Sequence, residues 1–198
     1  MHTKISQLES IYASFETRAA GFKSAAACAR GCAFCCTDAG SIHITTLEGL
    51  AIGEAVDRLA RPQKATAEKA LVKDMQRREK GLTSPCPFLM KNKACMIYRR
   101  RPFACRRIYS LETCSSRRPP ILSRQVMDLG DQAIRSLQQL DQTGYSGHIS
   151  FILHMLKAPR FRTTYLAGEF KPEEIADFGR SHRIIINRVV SAGADQSE

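Results

Sequence analysis

Eight cysteines dominate the chemistry open to this 198-residue chain, and they lie in one stretch between Cys28 and Cys114. Thiols gathered in this way serve a disulfide framework, a metal site, or simply a buried apolar surface. Their spacing and the composition around them decide among these alternatives.

The first group of cysteines is closely spaced and consists of Cys28, Cys32, Cys35 and Cys36. The Cys-x-x-Cys spacing of Cys32 and Cys35 places two sulfurs on one side of a turn. Cys28 precedes Cys32 by about one helical turn and can face the same point. This pattern favours thiolate ligation of a metal.

A second group follows some fifty residues later and contains Cys86, Cys95 and Cys105. Cys86 is followed by Pro87, and a Cys-Pro pair is typical of iron–sulfur ligands. We therefore predict that sulfurs from both groups converge on a shared ion or cluster, with a second centre left open. Cys114 is less securely assigned, as a peripheral ligand, an inert residue or a reactive thiol.

Disulfides are the main competing interpretation, because eight is an even number. The first 27 residues carry scattered charges rather than the apolar run of a secretory signal, which predicts a reducing, cytoplasmic location. No stretch approaches the ~20 apolar residues that span a bilayer, so no membrane association is expected. The adjacent residues Cys35 and Cys36 would also pair poorly.

The second cysteine segment is strongly basic. Residues 81–118 contain nine Lys or Arg side chains and one acid, Glu112, within a chain of formal net charge +11. We predict that Arg101 and Arg106 compensate the negative charge of metal-bound thiolates. A nucleic-acid patch is the less favoured alternative, with Tyr98, Phe103 and Tyr109 stacking on bases. The sequence leaves a protein partner open without identifying it.

Two compound motifs in this order resemble the YkgJ family of cysteine-cluster proteins. The first is Cys-Ala-Arg-Gly-Cys-Ala-Phe-Cys-Cys at 28–36, and the second runs from Pro85-Cys86-Pro87 through Cys95-Met-Ile-Tyr to Arg101-Pro-Phe-Ala-Cys-Arg. The resemblance covers about residues 28–110 and implies a zinc- or iron-chelating domain without a particular reaction. The ligands that it implies are Cys28, Cys32, Cys35, Cys36, Cys86, Cys95 and Cys105.

Three functions remain in competition. An iron–sulfur cluster, with 4Fe-4S favoured, would serve a redox, sensing or accessory role. Zn²⁺ would instead close the fold or support nucleic-acid binding. The Cys28-x-x-x-Cys32-x-Phe34-Cys35 spacing also fits a radical S-adenosylmethionine enzyme, but that fold needs strands alternating with helices, which the sequence does not show.

The surrounding pattern predicts a mainly α fold with little or no β structure. We expect helices over 4–20, from Thr45 to about Ala60, and over 63–80, 122–141, 147–157 and 172–190. A short extended piece is expected at 41–45, and a helical turn at Pro102. These elements form one domain over 1–190, with a metal-binding core at 28–114, a helical part at 121–190 and a disordered tail at 191–198. The histidines are scattered, and His43 is the best additional ligand candidate among them.

Overall fold

The computed structural model describes residues 1–29, 31–37 and 41–188. Helix α1 spans His2–Arg18 and buries Leu8, Tyr12 and Phe15, which recur at four- and three-residue steps along one face. A short helix α2, Ala20–Ser24, continues it. The helix predicted over 4–20 is therefore present.

Helix α4, Thr46–Asp57, is the central helix of the molecule and starts where the capping box predicts. The Thr45 side chain accepts a hydrogen bond from the Glu48 N–H, and the Glu48 carboxylate accepts one from the Thr45 N–H. Eight of its twelve residues are buried, so the helix is covered on more than one face. The short strand β1, His43–Thr45, leads into it.

The middle of the chain is first helical and then irregular. After α3, Phe34–Thr37, and α4, helix α5 spans Arg61–Glu79 and ends before Gly81, which has φ +72°. Residues 80–123 contain only a 3-10 turn, Tyr98–Arg100, and the four-residue helix α6, Phe103–Arg106. The turn predicted at Pro102 is thus present, since Pro102 caps α6.

The C-terminal part alternates helices with short strands. Its elements are α7 Arg124–Leu140, β2 Tyr145–His148, α8 Ile149–Lys157, α9 Pro159–Leu166, a 3-10 turn Pro172–Ile175, α10 Ala176–His182 and β3 Ile185–Ile186. The sequence predicted α7 and α8 but missed α9. The helix predicted over 172–190 was wrong from Arg183 to Arg188, because Arg183 adopts a left-handed conformation (φ 55°) and Ile185 and Ile186 join a sheet. The predicted tail lies outside the described residues.

The sheet has three antiparallel strands in the order β1-β2-β3. His43 lies opposite His148, and Tyr145 lies opposite Ile186. Residues from widely separated parts of the chain meet here, which sequence periodicity over such short strands cannot reveal.

Two hydrophobic clusters stabilise these elements. In one, α1 packs against α7 and α6, and the cluster includes buried Phe15, Val126 and Phe103. In the other, α4 and α5 pack against α8, with Ile52 and Ile152 almost fully buried. The predicted mainly α fold is confirmed. None of the described helices has the length and apolar character needed to cross a membrane.

Candidate metal centre

The first cysteine segment is a tight turn followed by a single helical turn. The Cys32 N–H donates to the carbonyl oxygen of Ala29 at 3.0 Å, and Gly31 adopts φ +90°, which glycine tolerates best. The side chain of Ala33 is buried and anchors this segment in the protein interior. Cys28 and Cys32 are exposed, whereas Cys35 and Cys36 in α3 are half-buried.

The second segment presents three half-buried cysteines from successive turns. The Cys86 carbonyl accepts a hydrogen bond from the Leu89 N–H at 3.0 Å, and Leu89 pairs with Cys95 across a small bridge. Cys105 lies in α6, which buried Phe103 fixes in the core. These local anchors bring Cys86, Cys95 and Cys105 toward the same region.

The two segments meet at Cys36 and Cys86. The Cys86 N–H donates to the carbonyl oxygen of Cys36 at 2.7 Å. Their thiols also interact. Hydrogen bonding with the Cys35 thiol lowers the pKa of Cys36. Hydrogen bonding with Cys86, burial, and the charges of Cys86 and Cys95 have the larger effect and raise that pKa to about 11. The two remote segments therefore lie side by side at Cys36 and Cys86.

Cys105 and Cys95 belong to the same region. Burial raises the pKa of the Cys105 thiol, and the nearby Cys36, Cys35 and Cys95 raise it further. We call Cys36, Cys86, Cys95 and Cys105 the inner thiol set. Cys35 lies beside it, and its pKa is raised by hydrogen bonding with Cys36 and by burial.

A second grouping lies at the surface. Burial raises the pKa of Cys28, and Cys32, Cys114 and Cys35 raise it further, while a hydrogen bond from the Ser110 N–H opposes them. We call Cys28, Cys32 and Cys114 the outer thiol set. Cys114 was assigned less securely than the seven predicted ligands, and its proximity to the first segment is a long-range feature that its sequence position did not show.

The donor chemistry of the inner set fits a thiophilic metal. All eight cysteines lie within the described residues and are free thiols, so the disulfide framework is absent from this part of the chain. Across residues 1–29, 31–37 and 41–188, no three His, Cys, Asp or Glu side chains already stand in a metal-binding arrangement. The neighbouring thiols must therefore turn toward a common point before they can ligate a metal. Because thiolates repel one another, a cation is needed to hold them there.

The two predicted charge-compensating arginines behave differently. Arg101 lies close enough to the inner thiol set to lower the pKa of Cys95 and of Cys105, although burial raises both more strongly. Arg106 instead bonds the carboxylate of Glu16 at 2.5 Å and the carbonyl oxygens of Arg99 and Arg101. The charge of Arg101 thus acts on the thiols, whereas the contacts described for Arg106 are with Glu16 and two backbone carbonyls.

The aromatic residues considered for base stacking are mostly inaccessible. Phe103 and Tyr109 are buried against Phe15, and only Tyr98 is well exposed. The Arg101 guanidinium already stacks on the Tyr98 ring at 4.2 Å. These contacts remove most of the support for a nucleic-acid patch.

A buried polar network that includes Ser84, two residues before Cys86, was not apparent from sequence. The Asp74 carboxylate accepts hydrogen bonds from Ser84, Ser150 and Arg78, and it lies 3.6 Å from His148 Nδ1. The Nε2 atom of His148 is buried without a hydrogen-bond partner among the described residues. His43, predicted as an additional ligand candidate, lies directly across the sheet from His148.

The fold and the thiol sets define a mainly α-helical cysteine-cluster protein. The family described as "CxxCxxCC: Putative zinc- or iron-chelating domain" matches residues 27–125, half of the chain, and the protein belongs to this family. The first two cysteines of this chain are spaced differently from the motif in that name, because three residues rather than two separate Cys28 from Cys32. No curated protein and no solved structure matches the chain.

Proposed function

We propose that the protein binds an iron–sulfur cluster, with 4Fe-4S favoured, and serves in a redox, sensing or accessory role. The observation that supports this proposal is the convergence of Cys36 from the first segment with Cys86, Cys95 and Cys105 from the second. These four thiols are half-buried. Ionisation of one of them makes ionisation of its neighbours less favourable. A cluster bound there would supply one-electron transfer.

The residues around the inner thiol set suit such a group. Cys86 precedes a proline, as is common among cluster ligands. Arg101 contributes positive charge that favours the thiolate forms of Cys95 and Cys105. Partial burial limits the access of water to the sulfurs, and solvent exposure is one of the factors that set a cluster's reduction potential.

A structural Zn²⁺ is the second candidate, because four thiolates also suit tetrahedral zinc. The radical S-adenosylmethionine alternative has less support. Its partial β/α barrel is not found in residues 1–29, 31–37 and 41–188, where the sheet has three short antiparallel strands.

The experiment that tests the proposal is anaerobic purification followed by visible absorption and analysis of iron, zinc and acid-labile sulfide per chain. Brown protein with stoichiometric iron and sulfide supports the cluster, whereas colourless protein with stoichiometric zinc supports the structural role. Protein that takes up neither metal contradicts both.

A variant pair connects the metal to the inner thiol set. Cys86→Ser removes one donor and is expected to lower metal content and thermal stability, because metal binding and folding are coupled. Ala94→Ser, an exposed neighbour of Cys95, is the matched control and should keep both. Equal metal content and equal melting in the two variants would contradict the assignment.

A further inference from the structure

A cavity of about 320 Å³ lies between the three-stranded sheet and the helices α6 and α7. Sites for small molecules in proteins have volumes of roughly 300–1,000 Å³, so this cavity suits a small ligand. Phe103 and Ala104 of α6 line it. None of the eight cysteines, all of which belong to the described part of the chain, is among its lining residues. The cavity is therefore distinct from the thiol sets.

One part of the cavity wall is apolar. Phe103 and Leu137 are almost fully buried and form its deepest part, and Ile134 of α7 lies on the same helix face as Leu137. Ile185 of β3 also lines the cavity, although 56 % of this residue is exposed. An apolar group that entered the cavity would cover this isoleucine and remove apolar surface from water, which favours binding.

The remaining wall carries hydrogen-bond donors. Ser41, Gln138 and Arg107 line the cavity, and their hydroxyl, amide and guanidinium groups all donate hydrogen bonds. Burial and the nearby Arg78 lower the pKa of His43, which lines the cavity as well, so its imidazole is neutral at pH 7. Among the described lining residues, Arg107 is therefore the one with a positive charge.

The position of Arg107 leaves its guanidinium available. A Cβ at Gly130 would lie 3.4 Å from Arg107 Cδ, so the arginine stem rests on α7 where the helix has no side chain. The guanidinium lies 3.5 Å from the Asp131 carboxylate, and 37 % and 58 % of the two side chains are exposed. An ion pair this long and exposed is weak. Arginine can therefore bind a ligand carboxylate through two parallel hydrogen bonds.

Glu48 is an acid in the cavity wall, but its carboxylate is already engaged. It accepts hydrogen bonds from the Tyr12 hydroxyl and from the N–H groups of Thr45 and Phe103. Only 3 % of the residue is exposed. Glu48 thus fixes the wall in place and offers little to a cationic ligand.

A neighbouring cavity between α1 and α4 shows the contrast. Most of its charged side chains are bonded to one another, since Arg100 pairs with Glu9 and Arg106 with Glu16. Charges that are satisfied in this way stabilise the fold and are poor ligand contacts. The cavity at Arg107 has the weakly paired cation that the other lacks.

We propose that the cavity beside α6 binds a small organic acid, with its carboxylate on Arg107 and its apolar body against Phe103, Ile134 and Leu137. The positive charge and the donors select the acid group, and the apolar wall selects the body. This site goes beyond the proposed metal centre and does not depend on it, because no cysteine lines the cavity.

Isothermal titration calorimetry of the full chain tests the proposal with three carboxylates: phenylacetate, 3-phenylpropionate and hexanoate. At least one should bind with a Kd of about 1 mM or below, and its neutral amide should bind about tenfold more weakly or worse. Failure of all three to bind at concentrations up to about 10 mM overturns the site. Tighter binding of phenethylamine than of phenylacetate also overturns it and indicates a cation site at Glu48.

Variants connect the binding to Arg107. Arg107→Gln should weaken carboxylate binding about tenfold or more and abolish the preference over the amide, whereas Arg107→Lys should keep that preference. Arg135→Gln removes an exposed charge from the same helix α7 outside the cavity and is the matched control. Equal carboxylate affinity in Arg107→Gln and Arg135→Gln contradicts the proposal.

A measurement on unmodified protein does not rely on variants that fold. In chain labelled at the isoleucine methyl groups, nuclear magnetic resonance should show the signals of Ile134 and Ile185 shifting as the carboxylate is added. The signal of Ile97, which belongs to the other hydrophobic cluster, should stay in place. Shifts that spare both Ile134 and Ile185 overturn the location of the site.

Metal analysis of the same samples separates this inference from the proposed function. Arg107→Gln should retain the wild-type metal content while losing the carboxylate. Wild-type chain without metal that still binds the carboxylate overturns the proposed function and leaves this site. Metal-loaded chain that binds none of the three carboxylates does the reverse.

Discussion

The backbone N–H of Cys86 donates a hydrogen bond to the carbonyl oxygen of Cys36 at 2.7 Å, although the two residues are fifty positions apart in the sequence. This bond holds a turn of the second cysteine segment against the end of the first. The thiols beside it raise one another's pKa values and so contribute to the response of the metal-free protein to alkaline pH.

Metal uptake should strengthen with rising pH. Hydrogen bonding with Cys35 lowers the pKa of Cys36, but Cys86 and burial raise it overall to about 11, so the metal-free thiol is protonated near neutrality. Each thiol must release its proton on ligation, and the apparent affinity therefore rises about tenfold per pH unit for every proton released. Zinc titrations in competition with a chelator at several pH values measure this slope, and a flat profile would exclude thiol ligation.

The metal-free protein should also lose stability at alkaline pH. The folded-state pKa of Cys36, about 11, exceeds its ordinary value of 9.0. The unfolded chain therefore releases this proton at lower pH than the folded chain does, and stability falls as pH rises from 9 toward 11. Urea denaturation across that range measures the fall, with Cys36→Ser as the comparison. The variant should show a shallower decline.

The local elements around the site were predictable from sequence, and the meeting of the two cysteine segments was predicted from their chemistry alone. The capping box of Thr45 and Glu48 placed the start of α4, and the two cysteine motifs indicated that their segments meet. Cys114 and the Asp74–His148 network were not predictable, because both depend on contacts between remote residues. The short strand β3 was missed for the same reason, since its two residues are defined by their pairing with β2.

Glu48 connects three elements around the site and should be essential for stability. Its carboxylate accepts hydrogen bonds from the Tyr12 hydroxyl at 2.6 Å and from the N–H groups of Thr45 and Phe103, each at 2.8 Å. Glu48→Ala leaves these buried donors unpaired and should cost about 3 kcal/mol of unfolding free energy. Chemical denaturation measures the loss.

The exposed Glu54 on the same helix provides the control for that measurement. Its ion pair with Arg58 is solvent-exposed, so Glu54→Ala should change stability by no more than about 0.5 kcal/mol. Because the Phe103 N–H lies at the start of α6, Glu48→Ala should also weaken metal retention at Cys105. Equal stability of the two variants would show that the Glu48 contacts are dispensable.

His148 should make the protein sensitive to acid. Burial and the nearby Arg78 lower the pKa of His148 below its ordinary 6.5, although the Asp74 carboxylate opposes them and His43 adds to the lowering. The unfolded chain then binds this proton more readily, so stability should fall as pH drops below 6.5, by on the order of 1–3 kcal/mol. Asp141, whose burial raises its pKa to about 6, acts in the opposite direction.

A variant isolates the histidine contribution from that of Asp141. His148→Asn keeps a side chain able to cap α8, where His148 Nδ1 now accepts the Ser150 N–H, but it removes the titrating group. Its stability should decline less between pH 6.5 and 4.5 than that of wild type, as measured by urea denaturation. Exposed His2→Asn should follow wild type, and parallel profiles for wild type and His148→Asn would contradict the assignment.

Two glycines of α4 should respond oppositely to the same substitution. A Cβ at Gly49 would lie 2.8 Å from Ile152 Cγ2 and 2.8 Å from Leu156 Cδ1, so these side chains or α8 itself must shift to accommodate Gly49→Ala. We expect a loss of about 1–3 kcal/mol from this overpacking. A Cβ at Gly53 would meet no neighbouring element within 4 Å, and Gly53→Ala should gain about 0.5–1 kcal/mol from helix propensity. The difference in denaturation midpoint between the two variants measures how closely α4 and α8 approach, and a stabilising Gly49→Ala would mean that this packing is looser than described.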